Sequence, residues 1–264
     1  MRTSLLPKII LLMAFVAGPS VITAQDLSVF KEESLISRKG ELPYRIMMPK
    51  RYNPDIKYPL LIFLHGSGER GSDNQAQLKH GASLFASDSI REKYPAIVVF
   101  PQCEEDGYWV KLKYDLLDEG VDILFPRAIV AWKEQAMLED LLKELKKSLP
   151  VDEDRIYIGG LSMGAMGTFE LVRRNPREFA AAFAICGGAN PAIAGKLKRL
   201  PWWIFHGDAD QVVPIRYSRQ LVESMRRQDI DVKFTTYPGV GHDSWTPTFA
   251  NPELLEWLFA QVKD

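Results

Sequence analysis

Short apolar runs alternate with segments of helical periodicity through most of the chain. Residues 59–64 form a run without any charged position, which is typical of a strand buried on both faces of a sheet. Comparable strand-like segments occupy residues 97–100, 155–158, 182–185, 202–205 and 232–236. Closer to the N terminus, residues 34–37 and 44–48 flank a turn at Gly40 and predict an antiparallel hairpin at the edge of the sheet.

Helical segments lie between these strands. Leucines at positions 138, 141, 142 and 145 share one face of a helix that is predicted to end before Pro150. Further helices are predicted from residue 163 to 175, over 217–225 and over 252–262. Strands that alternate with helices indicate an α/β protein with a mainly parallel sheet and helices on both faces. Residues 104–131 lack a clear period and are predicted to be loops over a functional site.

The first 24 residues have a pattern of their own. Arg2 and Lys8 precede an apolar run at residues 9–18, and small residues end the segment at Ala24. This is the layout of a secretory signal, and the run is shorter than the about 20 residues that span a bilayer. We therefore expect a signal peptide at residues 1–24 and a single α/β domain at 25–264, periplasmic or secreted and without stable membrane insertion. An uncleaved membrane anchor is the alternative.

Composition and charge narrow the class of protein. The chain has 264 residues, of which 46% are hydrophobic, enough for one buried core. Its net charge is −1, and its Lys and Arg residues are scattered, which argues against a nucleic-acid partner. Cys103 and Cys186 follow predicted strands that two other strands should separate, about 14 Å apart. Bridged Cα atoms lie within about 7 Å, so we expect two free, buried thiols.

The motif G-x-S-x-G occurs at residues 160–164, with Ser162 at its centre. In this motif a sharp turn between a strand and a helix raises the serine hydroxyl above the sheet, and the glycines avoid Cβ clashes. Alone the motif is weak, because roughly one chain in ten of this length would contain it by chance. Here a predicted strand precedes it and a predicted helix begins at Met163. We therefore predict Ser162 as a nucleophile.

A serine nucleophile needs a base, and the chain has four histidines. His65 and His206 each end a predicted buried strand and precede glycine, so we expect structural hydrogen bonds from both. His80 lies in a polar stretch and is expected at the surface. His242 lies in a glycine-rich loop after the last strand, which can hold an imidazole over a serine without bulk. We predict His242 as the base.

The acid is expected between the serine and the histidine, after the strand at 202–205, because nucleophile turns of this kind use that chain order. Asp208 and Asp210 both lie there. Asp208, next to Gly207, is the better turn former, which favours Asp210 as the acid. Asp243 is a remote third candidate.

Backbone N–H donors for an oxyanion are expected at two places. One is Met163, directly after the nucleophile at the start of a helix. The other is the glycine-rich loop at residues 65–71, which follows the strand at 59–64. A phosphate-binding loop is the alternative there, but the segment lacks the Lys-Ser/Thr ending of a P-loop.

With these segments placed, the sequence resembles the esterase and predicted-peptidase branch of the α/β-hydrolase superfamily, near its dienelactone-hydrolase-like, feruloyl-esterase-like and phospholipase/carboxylesterase-like groups. The resemblance rests on residues 65–71, 101–103, 154–157, 160–167, 207–214 and 241–245. It implies an α/β-hydrolase fold with an eight-stranded-type sheet and a triad of Ser162, Asp210 and His242. It also implies oxyanion donors at the N–H groups of Ser67 and Met163. Met166 departs from the pattern, because a smaller residue is usual there.

These residues predict an exported serine hydrolase that cleaves carboxylic esters through an acyl-enzyme, with no metal and no cofactor. Trp109 and Trp245 are candidate walls of the substrate pocket, with ordinary packing as the alternative for each. Aromatic walls and export favour acyl, feruloyl or acetyl esters, either as small molecules or linked to plant polysaccharides.

Two other functions are compatible with parts of the same pattern. A serine peptidase of the prolyl-oligopeptidase-like type usually guards its site with an added domain, for which a chain of this length has no room. A non-catalytic binding protein that kept the fold usually loses one member of the triad, whereas this sequence has all three.

Overall fold

The computed structural model describes residues 26–117, 120–125, 127 and 132–263, and the structural statements below refer to them. The predicted signal peptide at residues 1–24 lies outside these residues. In the part of the chain that is described, eight strands form one mixed sheet. Their order across the sheet is β1 (Lys31–Ser37), β2 (Gly40–Met47), β4 (Ile97–Pro101), β3 (Tyr58–Leu64), β7 (Val151–Leu161), β8 (Ala181–Ile185), β9 (Trp202–Gly207) and β10 (Val232–Tyr237).

The direction of the strands changes twice across this sheet, on either side of β2. β1 and β2 form an antiparallel hairpin, and β2 runs antiparallel to β4. From β4 onward, through β3, β7, β8, β9 and β10, neighbouring strands are parallel. The mainly parallel eight-stranded sheet with an N-terminal antiparallel hairpin is therefore confirmed.

Helices cover both faces of the sheet. They are α1 (Ala82–Ala86), α2 (Asp88–Lys93), α3 (Lys133–Ser148), α4 (Met163–Arg174), α5 (Arg216–Arg226), α6 (Trp245–Phe249) and α7 (Glu253–Phe259). The sequence predicted α3, α4, α5 and α7. The helices α1, α2 and α6 have only five or six residues, too few for a helical period to appear in the sequence. No helix among the described residues is long and apolar enough to cross a membrane.

Alternate side chains of β3 enter two different cores, which explains its unbroken apolar run. Leu60, Ile62 and Leu64 pack on the face that α3, α4 and α5 cover. Leu61 and Phe63 pack on the opposite face, together with residues of α1 and α7. All five side chains are at most 1% exposed. Because β3 and its two neighbours are parallel, their carboxyl ends lie at one edge of the sheet, where functional residues follow them.

The segment at residues 104–131 differs in part from its prediction as loops. It contains an antiparallel hairpin outside the main sheet, β5 (Lys113–Leu117) and β6 (Gly120–Leu124), whose five-residue strands are too short to show a clear alternation. Cys103 and Cys186 are free and buried, as predicted, and two strands lie between β4 and β8.

Candidate active site

Ser162 lies in a sharp turn between β7 and α4. Its backbone has φ 52° and ψ −117°, a region that residues with a side chain rarely adopt. Two glycines let this turn pack tightly. A Cβ atom on Gly164 would lie 2.0 Å from the carbonyl oxygen of Leu64, and one on Gly160 would lie 2.5 Å from the backbone of Gly164. The strand–turn–helix setting that the motif requires is therefore present.

The structure brings Ser162, His242 and Asp210 together at the carboxyl ends of parallel strands. His242 Nε2 lies 3.0 Å from the Ser162 hydroxyl oxygen, and His242 Nδ1 lies 2.7 Å from Asp210 Oδ2. The three residues follow β7, β10 and β9, so no single segment carries the site. These distances are those of a nucleophile, a base within hydrogen-bond reach and an orienting acid.

The Asp210 carboxylate is enclosed and fully hydrogen-bonded. Its side chain is 0% exposed, and Oδ1 accepts the N–H groups of Val212 and Val213 at 2.9 Å each. Burial acts to raise the pKa of Asp210, but hydrogen bonds from His206, His242 and the Val213 N–H outweigh it and hold the pKa well below its usual range. Asp210 is therefore ionised at neutral pH.

The charge of Asp210 determines which nitrogen of the His242 ring carries the proton when the ring is neutral. An ionised carboxylate can only accept hydrogen bonds, so His242 Nδ1 carries the proton of that contact. In the neutral ring, Nε2 then presents its lone pair to the Ser162 hydroxyl. This tautomer can take the serine proton as the hydroxyl attacks a carbonyl carbon.

The other two acid candidates have different partners. Asp208 Oδ1 accepts the N–H of Gly239 at 2.7 Å. This side chain therefore joins the turn that contains Asp210 to the loop that contains His242. Asp243 accepts both the N–H and the hydroxyl of Thr246 at the start of α6. Of the three aspartates, the structure places Asp210 against His242. The expectation that Asp208 is the turn former is wrong: Asp210 accepts the local N–H groups of Val212 and Val213, whereas Asp208 bonds to the backbone of another loop.

Both proposed oxyanion donors lie beside Ser162. Met163 is the first residue of α4, where an α-helix leaves its N–H groups without an intrahelical partner. Ser67 is exposed and begins a 3-10 turn, Ser67–Glu69. The preceding Gly66 lies so close to the nucleophile that a Cβ atom on it would be 3.6 Å from the Ser162 Cβ. The assignment of these N–H groups to an oxyanion stays a prediction.

His65 makes the structural hydrogen bonds that the sequence predicted. Its Nε2 accepts the N–H of Cys103 at 2.9 Å, so Nδ1 carries the proton and donates to the Gly66 carbonyl at 2.6 Å. Burial lowers the pKa of His65 from 6.5 to about 4. The ring is therefore neutral at physiological pH and fixes the start of the loop at residues 65–71.

Trp109 is not a wall of an open pocket, contrary to one of the two expectations for it. The side chain is 0% exposed, and its Nε1 donates to the His65 carbonyl at 3.1 Å. It fits against α4 because residue 167 is glycine, where a Cβ atom would lie 2.4 Å from the Trp109 Cβ. Trp109 thus supports the loop at 65–71 from behind, which is the packing alternative.

Trp245 lies beside the triad and is partly buried. Its ring packs edge-on against His242, with 5.5 Å between centroids, and against His80 on its other side at 5.0 Å. His80 was expected at the surface, but this packing leaves its side chain only 24% exposed and 3.5 Å from the Glu69 carboxylate. Contact of Trp245 with substrate stays a prediction.

Gln102 is a supporting residue that the sequence reasoning did not single out. Its fully buried amide donates to Asp73 Oδ1 at 2.7 Å and to the Glu69 carbonyl at 3.3 Å, and it accepts the Asn74 N–H at 2.7 Å. It therefore holds the chain that leaves the loop at 65–71. A buried polar residue directly after a fully apolar strand was the available signal, because it must find partners inside.

Comparison with known proteins agrees with this fold. The chain matches the Phospholipase/Carboxylesterase family over residues 53–251 and belongs to that family. It is therefore a carboxylic ester hydrolase of the α/β-hydrolase fold, an esterase or thioesterase, as the sequence resemblance indicated.

Relatives and solved structures refine this assignment. Acyl-protein thioesterase 1 of Debaryomyces hansenii is 28% identical over 194 residues, which cover 70% of this chain and 84% of the relative. A thermostable esterase of known crystal structure is 35% identical with a TM-score of 0.80; the match covers 90% of this chain and 64% of that one. A ferulic acid esterase has the same fold at 19% identity, with a TM-score of 0.66 over 87% of this chain and 97% of its own.

Proposed function

We propose that the chain hydrolyses carboxylic esters through a covalent acyl-enzyme on Ser162. The observation that supports this most is the pair of short contacts through His242, 3.0 Å to the Ser162 hydroxyl and 2.7 Å to the ionised Asp210. Ser162 attacks the ester carbonyl while His242 Nε2 takes the hydroxyl proton. The N–H groups of Met163 and Ser67 stabilise the oxyanion of the tetrahedral intermediate.

Both halves of the reaction use the same groups. Protonated His242 gives its proton to the departing alcohol, and Asp210 stabilises the imidazolium in the meantime. Water then attacks the acyl-enzyme, His242 takes the water proton, and the acid product leaves Ser162 free. Ester oxygen or thioester sulfur can serve as the leaving atom, because His242 can protonate either one as it departs and the acyl-enzyme that remains is the same.

Replacement of the nucleophile tests this mechanism. We expect Ser162→Ala to lower kcat for a p-nitrophenyl ester by about 10⁴-fold or more. A fluorophosphonate should add one label to the wild type, located at Ser162 by intact-mass and peptide analysis. Ser148→Ala, at an exposed position near the end of α3, is the matched control and should keep full activity and labelling. Undiminished hydrolysis by Ser162→Ala would overturn the proposed mechanism.

The acyl group is proposed from the surroundings of the base. The Trp245 ring beside His242 can form an aromatic wall, which favours aromatic acyl groups such as ferulate on small molecules or plant polysaccharides. The acyl-protein thioesterase relatives favour a thioester instead. A panel of feruloyl, acetyl and alkyl esters, each paired with its thioester and one peptide amide, separates these candidates. Turnover of simple alkyl esters alone would exclude the feruloyl proposal, and cleavage of the amide would favour a peptidase.

We also propose that the enzyme is exported. The support is the order of charged, apolar and small residues over positions 1–24. N-terminal sequencing of protein recovered from a secreting host should begin at Gln25. Recovery of the whole protein with an intact N-terminal segment would contradict export by cleavage.

A further inference from the structure

A second histidine contacts the acid of the triad, although the mechanism above gives it no role. His206 is the next-to-last residue of β9 and is 0% exposed. Its Nε2 lies 2.8 Å from the Val213 carbonyl and 3.2 Å from Asp210 Oδ2. A carbonyl and an ionised carboxylate are both acceptors, so Nε2 carries a proton. His206 therefore shares one N–H between the Val213 carbonyl and the carboxylate oxygen that His242 also uses.

Both oxygens of the Asp210 carboxylate therefore have hydrogen-bond donors. Two backbone N–H groups hold Oδ1, and the rings of His206 and His242 approach Oδ2 from two directions. Without His206, Oδ2 would keep a single side-chain donor, the same ring whose orientation it has to fix. The additional donor therefore sets the direction of Asp210 independently of His242.

The other nitrogen of His206 leads back to the nucleophile turn. Nδ1 lies 2.8 Å from the hydroxyl of Ser218 on α5, and that hydroxyl lies 2.8 Å from the Gly187 carbonyl. Gly187 packs on the first turn of α4, where a Cβ atom on it would be 2.5 Å from the Ala165 Cβ and 3.2 Å from the Ser162 carbonyl oxygen. A buried polar chain thus joins the acid loop to the backbone beside the nucleophile.

We propose that His206 and Ser218 form a positioning relay, which keeps Asp210 aligned with His242 and with the Ser162 turn. The proposal rests on the proposed function, because it assigns the relay a role in that triad. Neither residue touches substrate in this role. The relay therefore affects kcat and the pH dependence of the reaction, and it leaves KM nearly unchanged.

The pH dependence follows from the groups that surround Asp210. These are the rings of His206 and His242 and the thiol of Cys186. The Cys186 Sγ lies within 4.8 Å of a carboxylate oxygen of Asp210 and of a ring nitrogen of His242. Burial raises the pKa of Cys186, so the thiol is neutral in the working range. Removing the His206 donor leaves more negative charge on Asp210 Oδ2, next to the base that the reaction uses. We expect the acid limb of kcat/KM to move to higher pH.

Paired substitutions separate a donor effect from a packing effect. His206→Leu removes the donor, and we expect kcat to fall about 10- to 100-fold with KM within about twofold. His206→Gln keeps an N–H donor at a similar reach and should recover most of the loss and of the pH profile. Ser218→Ala should lower kcat by about threefold to tenfold. Ser224→Ala is the matched control, because its hydroxyl also donates from α5 to a carbonyl, that of Pro191 at 2.9 Å.

Each outcome decides the proposal. A folded His206→Leu with wild-type kcat and pH profile would overturn the relay, and so would equal losses in the Leu and Gln variants with an unmoved profile. If His206→Leu does not fold, Ser218→Ala against Ser224→Ala decides instead, and equal activities of those two variants would overturn it. Failure of the proposed function has a different signature, since Ser162→Ala would then remain active.

Discussion

Two loop segments border Ser162 and His242, one after β3 at residues 65–71 and one at residues 206–214, which begins with the last two residues of β9 and contains Asp210. Each begins with a buried histidine followed by glycine at the carboxyl end of a parallel strand. In the first loop, His65 is neutral and bonds only to backbone groups. In the second loop, His206 bonds to a carboxylate and to a serine hydroxyl.

The difference between the loops lies in what they present to the reaction. The first borders Ser162 with glycines and exposed backbone, which is suitable for donating hydrogen bonds to a developing negative charge. The second encloses an ionised carboxylate that accepts hydrogen bonds. We therefore call the first the donor loop, after the oxyanion role predicted for it, and the second the acceptor loop. Both begin with the same two residues, His-Gly.

The largest expected effect is on kcat, when the two aspartates of the acceptor loop are replaced one at a time. Asp210→Asn should lower kcat by about 10⁴-fold, because the amide favours the wrong tautomer of His242. Asp208→Asn should cost less than about tenfold, because its side-chain oxygen can still accept the Gly239 N–H. Initial rates on a p-nitrophenyl ester measure both variants. Equal losses would show that the two aspartates act together and that the assignment of Asp210 alone is wrong.

An intermediate effect is expected from the glycines of the two loops. A Cβ atom on Gly207 would lie 2.2 Å from the Val240 carbonyl oxygen, whereas one on Gly68 would meet nothing within 4 Å. Gly207→Ala should therefore lower the free energy of unfolding by about 1–3 kcal/mol and displace the loop that contains Val240 and His242. Gly68→Ala should change it by less than about 0.5 kcal/mol. Urea unfolding compares the pair, and similar losses would mean that the acceptor loop is no more tightly packed than the donor loop.

The smallest effect concerns the charge of His65. Its pKa falls from 6.5 to about 4 on folding, so between these values the unfolded chain binds a proton that the folded protein does not. Stability should therefore decrease as the pH is lowered through this window. His65→Gln removes the titration, and its loss of stability between about pH 7 and about pH 5 should be smaller than that of the wild type. An identical slope in both proteins would contradict a neutral His65.

Much of this arrangement could be predicted from the sequence because it depends on local patterns. Unbroken apolar runs such as β3 predict buried parallel strands, and the spacing of glycines around Ser162 predicts the turn. Chain order then led to Asp210 and His242. The acid was distinguished from Asp208 by turn chemistry alone, and the two aspartates have different partners in the structure.

The remainder depends on contacts between distant segments. Trp109 is buried because residue 167, on another element, lacks a side chain. The link from His206 through Ser218 to Gly187 joins three elements that are remote in sequence. His80 is partly covered by the ring of Trp245, which belongs to a helix too short to predict. No periodicity or motif encodes such pairs, so only the assembled fold reveals them.

The buried thiol of Cys186 next to the triad makes it possible to measure how often the site opens under native conditions. Cys186 is 0% exposed, and its pKa is raised, so an alkylating reagent can modify it only from states in which the surrounding segments have separated. The modification rate under native conditions, divided by the rate for the unfolded chain, therefore measures how often this edge of the sheet opens. Cys103, buried in the other core and hydrogen-bonded through its N–H to His65, reports openings of the opposite face for comparison.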